Sequence, residues 1–317
     1  MKNNSGNLTA IKKICTDYQC KVIGAIGKIS LRDFKQVLLS DKWSTVWVSR
    51  NYFQKNIFQN KIKLNANCVI TDDESIANSD NFNADVFIVS DSPKIVFSLL
   101  YSLSNPKRYA FKGIHPSAVI HEKARIHSTA HIGPLTYIGY ATIGKNTSIS
   151  GSCFIGDNVW IGEHCLIEPN VSIGVEGFGH GKDKNGNWLQ FPQKGNTVIE
   201  DNVEIGASTY ITKGALGTTH IKPGVVVGLM CGIGHNVVLE RNAYITSKSI
   251  IGGSSVIGKN AVVGMQAVIR DDISIGQNSL IGMGSIVTKS IPDNEIWVGN
   301  PAKFFKKNIK KKQIPPC

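Results

Sequence analysis

Long apolar runs are missing from this chain of 317 residues. No stretch reaches the about 18 consecutive apolar residues that a membrane-spanning helix needs, so we expect no stable membrane insertion. The first residues, MKNNSGNLTAIKK, also lack the apolar segment of a secretory signal peptide. The sequence therefore predicts a cytoplasmic protein.

Charged residues are sparse, at 18% of the chain, whereas glycine is abundant, with 31 residues. This combination indicates many tight turns and few long, solvated helices. The seven cysteines are an odd number, and their spacings fit no zinc motif. We expect reduced thiols and no metal site.

The net charge of +12 could indicate a nucleic acid, a membrane surface or an acidic small substrate. Neither an arginine-rich helix nor a basic strand carrying aromatic residues is evident, which argues against nucleic acid. Phosphates on a small substrate and on coenzyme A would account for the same excess. Part of the charge lies near the end of the chain, where we expect a solvated, frayed tail: Lys303, Lys306, Lys307, Lys310, Lys311 and Lys312.

Aliphatic residues recur every six positions, and this period determines the predicted fold. The longest uninterrupted series starts at Ile221 and ends at Val287. An earlier series runs from Ile114 to Ile173 with one slip at Ile143, and a short one spans Ile199, Ile205 and Ile211. Small residues precede many of these aliphatic residues by two positions, as at Ala243, Ser249, Ser255, Ala261, Ala267, Ser279 and Ser285.

A period of six fits neither an α-helix nor a simple hairpin, but it fits a parallel solenoid. Each side of the coil would be a short strand with its aliphatic residue pointing inward, stacked about 4.8 Å from its equivalent in the next coil. Glycine or asparagine would occupy the corners. With three sides per coil, the repeat predicts about nine coils of parallel β-helix.

The interruptions of the period predict the domain organisation. Residues 1–112 lack the repeat, and their strands (TVWVS, ADVFIVS) and helix (SPKIVFSLLYSL) predict a small α/β domain that caps one end. Residues 113–290 form the β-helix, with a loop insertion at 176–197. Residues 291–317 form a C-terminal cap and a basic tail.

These motifs resemble the left-handed β-helix acyltransferases, which are typically trimers. The overall plan is similar to UDP-3-O-(3-hydroxyacyl)glucosamine N-acyltransferase of lipid A synthesis, through GIHPSAVI (113–120), the insertion GFGHGKDKNGNWLQFPQKG (177–195), VEIGASTYITKGAL (203–216) and GHNV (234–237). The segment MGSIVTKSIPDNEIWVGNPAKF (283–304) resembles instead acetyltransferases of nucleotide-linked 4-amino sugars.

Several residues depart from the lipid A pattern. GLMCG (228–232) replaces an acidic residue and amides, Thr212 and Lys213 replace an aspartate–arginine pair, and Asp272 replaces a histidine. The replaced groups are those that would recognise acylated glucosamine in the lipid A enzyme. Because this chain lacks them, we expect instead an acyl-CoA-dependent N-acyltransferase acting on a dTDP- or UDP-linked amino sugar. A 4-amino-4,6-dideoxyhexose for surface polysaccharide is one such substrate. The lipid A N-acyltransferase is the alternative.

The resemblance implies a catalytic role for His235, which follows the corner glycine Gly234. An imidazole can take the proton from an amine as it attacks a thioester. Gly253 lies one coil of 18 residues further on and should stack beside it, offering a backbone N–H to the oxyanion. Asn236 would orient the histidine or the sugar.

The resemblance also implies the binding residues. Tyr52 matches an aromatic residue that stacks on uracil, with Trp47 next to the position of its partner, where this chain has Val46. Gly252 and three lysines, Lys289, Lys303 and Lys306, would contact acyl-CoA.

Two further classes remain open on the sequence alone. A β-helix of this period could be a carbonic-anhydrase-like zinc enzyme, but that requires three ligating histidines at spacings not found here. It could also be a purely structural solenoid, which would need neither the insertion nor His235.

Overall fold

The computed structural model describes residues 4–105 and 112–309. The chain divides into two compact units, residues 1–108 and 109–317. Lys310, Lys311 and Lys312 of the predicted tail lie outside the described residues.

The N-terminal unit contains one five-stranded sheet and its helices. Its strands are β1 (Lys21–Gly24), β2 (Asp33–Phe34), β3 (Ser44–Val48), β4 (Leu64–Thr71) and β5 (Phe82–Val89), in the order β1-β5-β4-β3-β2. Strands β2 to β5 are parallel, and β1 is antiparallel to β5. The helices are α1 (Asn4–Asp17), α2 (Arg50–Tyr52) and α3 (Pro93–Ser104), with a π-helix over Phe53–Phe58 and 3-10 turns at Ile26–Lys28, Val37–Leu39 and Glu74–Ile76.

Both faces of this sheet are covered, which explains the nearly continuous burial of β4. On one face Val46 and Val69 pack with Phe53 and Ile57. On the other face Cys68 packs with residues of α1 and α3. The predicted strands and the predicted helix are confirmed, and the unit is α/β.

The second unit is a parallel β-helix with three faces. Face 1 consists of β6 (Val119–Ile120), β9 (Tyr137–Ile138), β12 (Phe154–Ile155), β15 (Ser172–Val175), β20 (Tyr210–Thr212), β23 (Gly232–Ile233), β26 (Ile250–Ile251), β29 (Val268–Ile269) and β32 (Ile286–Val287). Face 2 consists of β7 (Arg125–Ile126), β10 (Thr142–Ile143), β13 (Val159–Ile161), β18 (Asn196–Ile199), β21 (Thr218–Ile221), β24 (Val238–Leu239), β27 (Val256–Ile257) and β30 (Ser274–Ile275). Face 3 consists of β8 (His131–Ile132), β11 (Ser148–Ile149), β14 (Leu166–Ile167), β19 (Glu204–Ile205), β22 (Val226–Val227), β25 (Tyr244–Ile245), β28 (Val262–Val263), β31 (Leu280–Ile281), β33 (Glu295–Val298) and β34 (Lys303–Lys307).

The aliphatic residues of the six-residue period form the core of this unit. Each pairs with its equivalent one coil along, as Ile233 does with Ile251 and Ile251 with Ile269. From Ile132 onward they are at most 2% exposed. The small residues two positions earlier, such as Ser249 and Ala261, are fully buried as well. The predicted stacking and the predicted number of coils are confirmed.

The corners of the coils have a left-handed backbone conformation. The third residue after an inward aliphatic residue repeatedly has a φ near 57°, as at Asn146, Asn236 and Asn260. Asparagine tolerates this conformation better than most residues because its short side chain bonds locally. The abundance of asparagine at this position thus follows from the turn geometry.

Besides the short loop at 213–217, two segments leave the repeat and form strands of their own. The insertion forms a short hairpin of β16 (His180–Lys182) and β17 (Trp188–Gln190). At the C-terminal end, β33 extends face 3 and pairs with the antiparallel strand β34. The expectation of a frayed tail is therefore wrong for Lys303, Lys306 and Lys307, which belong to β34. So is the expectation that no basic strand carries aromatic residues, since Phe304 and Phe305 lie in the same strand and are exposed.

Over residues 4–105 and 112–309, none of the helices has the length and apolar character needed to cross a membrane.

Candidate active site

His235 lies at a corner of the β-helix, between β23 on face 1 and β24 on face 2. Its side chain points outward and is half-buried. The pairing of Ile233 with Ile251 brings Gly253 beside it, as the spacing predicts. A Cβ atom added to Gly253 would lie 2.6 Å from His235 Nε2. The absence of a side chain at Gly253 therefore makes room for the imidazole.

Asn236 holds the other side of the imidazole ring. Its Oδ1 atom lies 3.1 Å from His235 Nδ1 and accepts a hydrogen bond of 3.0 Å from the backbone N–H of Ala215. Its own backbone N–H donates to Thr219 Oγ1, which is buried. Asn236 is thus fixed on two sides.

These contacts determine the tautomer of His235. The Ala215 N–H can only donate, so the Asn236 atom facing it must be the oxygen. The same oxygen faces His235 Nδ1, so the Nδ1 atom carries the hydrogen of the neutral ring. Nε2 then has its lone pair free beside Gly253, where it can accept a proton.

The backbone N–H of Gly253 is available to an oxyanion. Among the described residues it donates no hydrogen bond, whereas the preceding N–H, of Gly252, donates to Ile269 O. The corner therefore places an imidazole and an uncommitted N–H donor side by side, an arrangement suited to acyl transfer.

Gly252 is required by packing. A Cβ atom there would lie 2.4 Å from the backbone nitrogen of Asp271 in the next coil. Backbone atoms inside a coil cannot move aside as a flexible side chain can. This contact explains the glycine without a ligand.

Two loops enclose His235. The end of the insertion bonds to the loop at 213–217, since Lys194 N donates to Ala215 O and Gly195 N to Gly214 O. A Cβ atom on Gly195 would meet Gly217 O at 2.0 Å, so only glycine permits this approach. Because the 213–217 loop bonds to Asn236, the insertion supports the histidine indirectly.

The start of the insertion lies close to the imidazole. A Cβ atom on Gly177 would lie 3.4 Å from His235 Cδ2 and 2.9 Å from Gln193 Oε1. His235 and Gln193 therefore both approach the side of Gly177 on which a side chain would stand.

In the N-terminal unit, the structure does not bring Tyr52 and Trp47 together. Tyr52 ends α2 and is 39% exposed. Trp47 packs with the core on the face of the sheet opposite Val46, with Lys94 Nζ 5.8 Å from its ring centre. No ring contact joins Tyr52 and Trp47 in the part of the chain that the structure describes. Of these two residues, only Tyr52 has an exposed ring on which a nucleotide base could stack.

The three candidate lysines lie near the C-terminal hairpin. Lys289 is exposed, with Nζ 5.2 Å from the centre of the Trp297 ring. Lys303 and Lys306 are exposed on β34. Lys307 is committed instead to Glu295: its Nζ donates at 2.7 Å, and with the Trp297 indole N–H it holds the pKa of that carboxyl below its ordinary value.

A known family profile matches part of the β-helix. The family profile described as "Bacterial transferase hexapeptide (six repeats)" matches residues 254–289. Residues 254–289 therefore have the sequence pattern of hexapeptide repeats. The part of the hexapeptide-repeat unit outside that match has the same coil geometry, with an inward aliphatic residue every six positions.

Curated relatives match a limited stretch of this hexapeptide-repeat chain. UDP-3-O-acylglucosamine N-acyltransferase of Idiomarina loihiensis is 47% identical over 78 residues, 25% of this chain and 23% of that protein. The protein of the same name from Francisella tularensis subsp. holarctica is 45% identical over 73 residues, 23% of this chain and 22% of that protein. The hexapeptide-repeat chain thus spans about a quarter of the length of these relatives.

Solved structures match a larger part. UDP-N-acetylglucosamine O-acyltransferase from Moraxella catarrhalis has a TM-score of 0.57 and 25% identity, covering 62% of this chain and 75% of that one. The corresponding structure from Acinetobacter baumannii has a TM-score of 0.52 and 26% identity, covering 62% and 75%.

Over residues 4–105 and 112–309, the hexapeptide-repeat chain contains no cluster of three or more residues able to hold a metal ion. The described cysteines are free thiols. Burial raises the pKa of Cys153 and Cys165, which face the interior of the β-helix, to about 11. These thiols are therefore protonated and unreactive at neutral pH.

Sequence reasoning missed the residues that support the histidine. Gly177, Gln193, Ala215 and Thr219 were not among the predicted site residues. For Gly177, Gln193 and Ala215 the one signal is the interrupted period, since both loops leave the repeat at the corner between faces 1 and 2, two coils and one coil before His235.

Proposed function

We propose that this protein is an N-acyltransferase that moves an acyl group from a thioester to the amino group of a nucleotide-linked sugar. The observation that carries the proposal is the corner at His235. There Nδ1 is tied to Asn236, while Nε2 faces Gly253 and its uncommitted N–H.

The reaction would proceed by attack of the amine on the thioester carbonyl. As the new C–N bond forms, His235 Nε2 takes a proton from the nitrogen, and the Gly253 N–H donates to the carbonyl oxygen. The C–S bond then breaks, and the imidazolium returns the proton to the departing thiolate. No other ionisable side chain is needed for these proton transfers.

The relatives favour UDP-3-O-acylglucosamine as the first acceptor to test, because they are named for that substrate. This is the alternative among the sequence-based expectations. A UDP- or dTDP-linked 4-amino sugar is the second candidate, and the side chains near the insertion support it. Thr212 Oγ1 donates to Ile233 O, and Lys213 Nζ donates to Glu176, so both side chains already have partners within the protein.

The test is a thiol-release assay with acetyl-CoA, 3-hydroxybutyryl-CoA, longer acyl-CoAs and an acyl carrier protein loaded with a hydroxyacyl chain. Each donor is combined with UDP-3-O-acylglucosamine and with UDP- and dTDP-linked 4-amino sugars. Release that depends on one of these amines supports the proposal, and the preferred pair identifies the substrate class. Thiol release with none of them would refute it.

Acyl-CoA is the donor we propose. Lys289, Lys303 and Lys306 are exposed cations near the end of the β-helix and can pair with its phosphates. Acyl-CoA can be distinguished from the carrier protein by the donor arm of the same assay.

Tyr52→Ala is expected to raise KM for the nucleotide sugar about tenfold or more, because loss of base stacking costs ~1–3 kcal/mol. KM for the acyl donor should change little. Tyr18→Ala is the matched control, since Tyr18 belongs to the same unit and is 37% exposed. Equal effects of Tyr52→Ala on both KM values would assign the residue a structural role only.

We further propose a left-handed coil and a trimer. The outward residues of face 1 form an apolar row that leaves much hydrophobic surface in solvent: Val119, Tyr137, Phe154, Tyr210, Ile250 and Val268 are 37–61% exposed. Such a patch marks an interface between subunits.

The trimer is tested by light scattering, which should give three times the chain mass of 34.5 kDa. Phe154→Glu should weaken the assembly, because Phe154 stacks on Tyr137 in the middle of the apolar row. Trp160→Glu, an equally exposed residue on face 2, is the control. A stable, active monomer would contradict the trimer.

A further inference from the structure

Gln193, near the end of the insertion, has a buried amide with one unpaired atom. The residue is 8% exposed. Its Nε2 donates a hydrogen bond of 3.1 Å to Phe191 O, while its Oε1 has no partner among the described residues. An unpaired buried acceptor is costly, so it calls for an explanation, and a bound ligand that donates to it is one.

The orientation of this amide is fixed by chemistry. Phe191 O is an acceptor, so the Gln193 atom facing it must be the NH2 group. Flipping the amide would bring two oxygens together. Oε1 is therefore the atom that faces the other way, toward Gly177, where an added Cβ atom would also lie 3.4 Å from His235 Cδ2.

Two other buried side-chain oxygens in the described residues have no partner, Ser40 Oγ and Thr197 Oγ1. Ser40 belongs to the N-terminal unit. Thr197 faces the interior of the β-helix, between Val159 and Thr219, where no substrate can reach. Gln193 Oε1 differs from both because it lies on the outer side of the coils, against the same glycine as the imidazole.

We propose that Gln193 is a specificity-determining residue, whose Oε1 accepts a hydrogen bond from the amino group that is acylated. This inference rests on the proposed function. A neutral amine has two N–H bonds and one lone pair. With one N–H donated to His235 Nε2 and the other to Gln193 Oε1, the lone pair is left free to attack the thioester.

The same pair of acceptors discriminates against a hydroxyl group. A hydroxyl has a single hydrogen, so it can satisfy His235 or Gln193 but never both. The buried oxygen of Gln193 would then stay unpaired, and such a mismatch lowers turnover of the wrong substrate. Gln193 therefore favours transfer to nitrogen over transfer to oxygen.

The test compares Gln193→Met with wild type on two acceptors, the amino sugar nucleotide and its analogue with a hydroxyl in place of the amine. We expect kcat/KM for the amine to fall about tenfold or more, the value of one lost hydrogen bond, and kcat/KM for the hydroxyl analogue to stay the same. The ratio between the two acceptors should fall accordingly. An unchanged ratio would overturn the proposal.

A structural role is distinguished by stability. Gln193→Met removes an unpaired acceptor but also the hydrogen bond from Nε2 to Phe191 O, so the two effects oppose each other and the melting temperature should stay close to that of wild type. Loss of amine turnover together with a large drop in melting temperature would overturn the proposal. Gln190→Met is the matched control, because Gln190 is exposed on the same hairpin, and it should leave the ratio unchanged.

Ligand-induced thermal shift separates this inference from the proposed function. If wild type turns over no acceptor, the proposed function fails. Stronger stabilisation of wild type than of Gln193→Met by the amine, with equal stabilisation by the hydroxyl analogue, would still support the role of Gln193. Equal stabilisation of both proteins by both ligands would overturn it.

Discussion

Replacing His235 with alanine is expected to lower kcat by about 10²–10⁴, the usual contribution of a general base. The melting temperature should change little, because the side chain is half-buried on the outside of the coil and contributes nothing to the aliphatic core. KM for either substrate should change less than kcat, since the base acts in the transition state. The measurement is steady-state kinetics together with a thermal melt.

The pH dependence gives an independent check on His235. Wild-type activity should fall at acidic pH, because protonated Nε2 cannot accept a proton. The alanine variant should lack this limb. His220→Ala is the control, because His220 is a half-buried histidine on face 2 paired with Glu200. If His235→Ala keeps both the rate and the profile, the residue is a corner residue of the fold.

Gly253→Ala is expected to lower kcat by about 100-fold. A methyl group would lie 2.6 Å from His235 Nε2 and push the imidazole away from its position, and a misplacement of about 1 Å costs about that much. The fold should tolerate the change, because the obstructed group is the end of a side chain and Gly253 has no left-handed φ. Kinetics and a thermal melt measure the two effects.

Gly252→Ala should show the opposite pattern. Its added methyl group would meet the backbone of Asp271 at 2.4 Å, so the main effect should be a lower melting temperature. If the two variants behaved alike, the separation of a catalytic glycine from a packing glycine would be wrong.

The β-helix could be predicted from sequence because its stabilising contacts repeat. Every inward position has the same neighbours, one coil before and one coil after. An aliphatic residue at every sixth position is therefore enough to predict the residues of the entire core. The same regularity placed Gly253 beside His235, since 18 residues make one coil.

The support of His235 could not be predicted, because it comes from the two segments that break the period. The contact of Ala215 with Asn236 depends on how far the 213–217 loop extends, and that is set by the approach of Gly195 to Gly217. No periodic signal encodes such an approach. The role of Gln193 likewise depends on which side of its amide finds a partner.

Trp47 and the terminal lysines show the limits of reasoning from neighbours in sequence. Trp47 follows Val46, but successive residues of a strand point to opposite faces, so it could not replace a partner at the position of Val46. The lysine-rich composition near the end of the chain predicted a solvated tail that includes Lys303, Lys306 and Lys307. The apolar residues between them and the pairing with β33 make them a strand.

Stacked coils also determine how this unit should come apart. Each coil bonds only to the coils on either side of it, so opening can begin at an end and progress one step at a time, without melting the rest. His235 and Gly253 belong to adjacent coils, with five further strands of face 1 on one side of them and two on the other. Amide hydrogens at this corner should therefore exchange with solvent more slowly than those of the terminal coils, and the active geometry should outlast partial unravelling of either end.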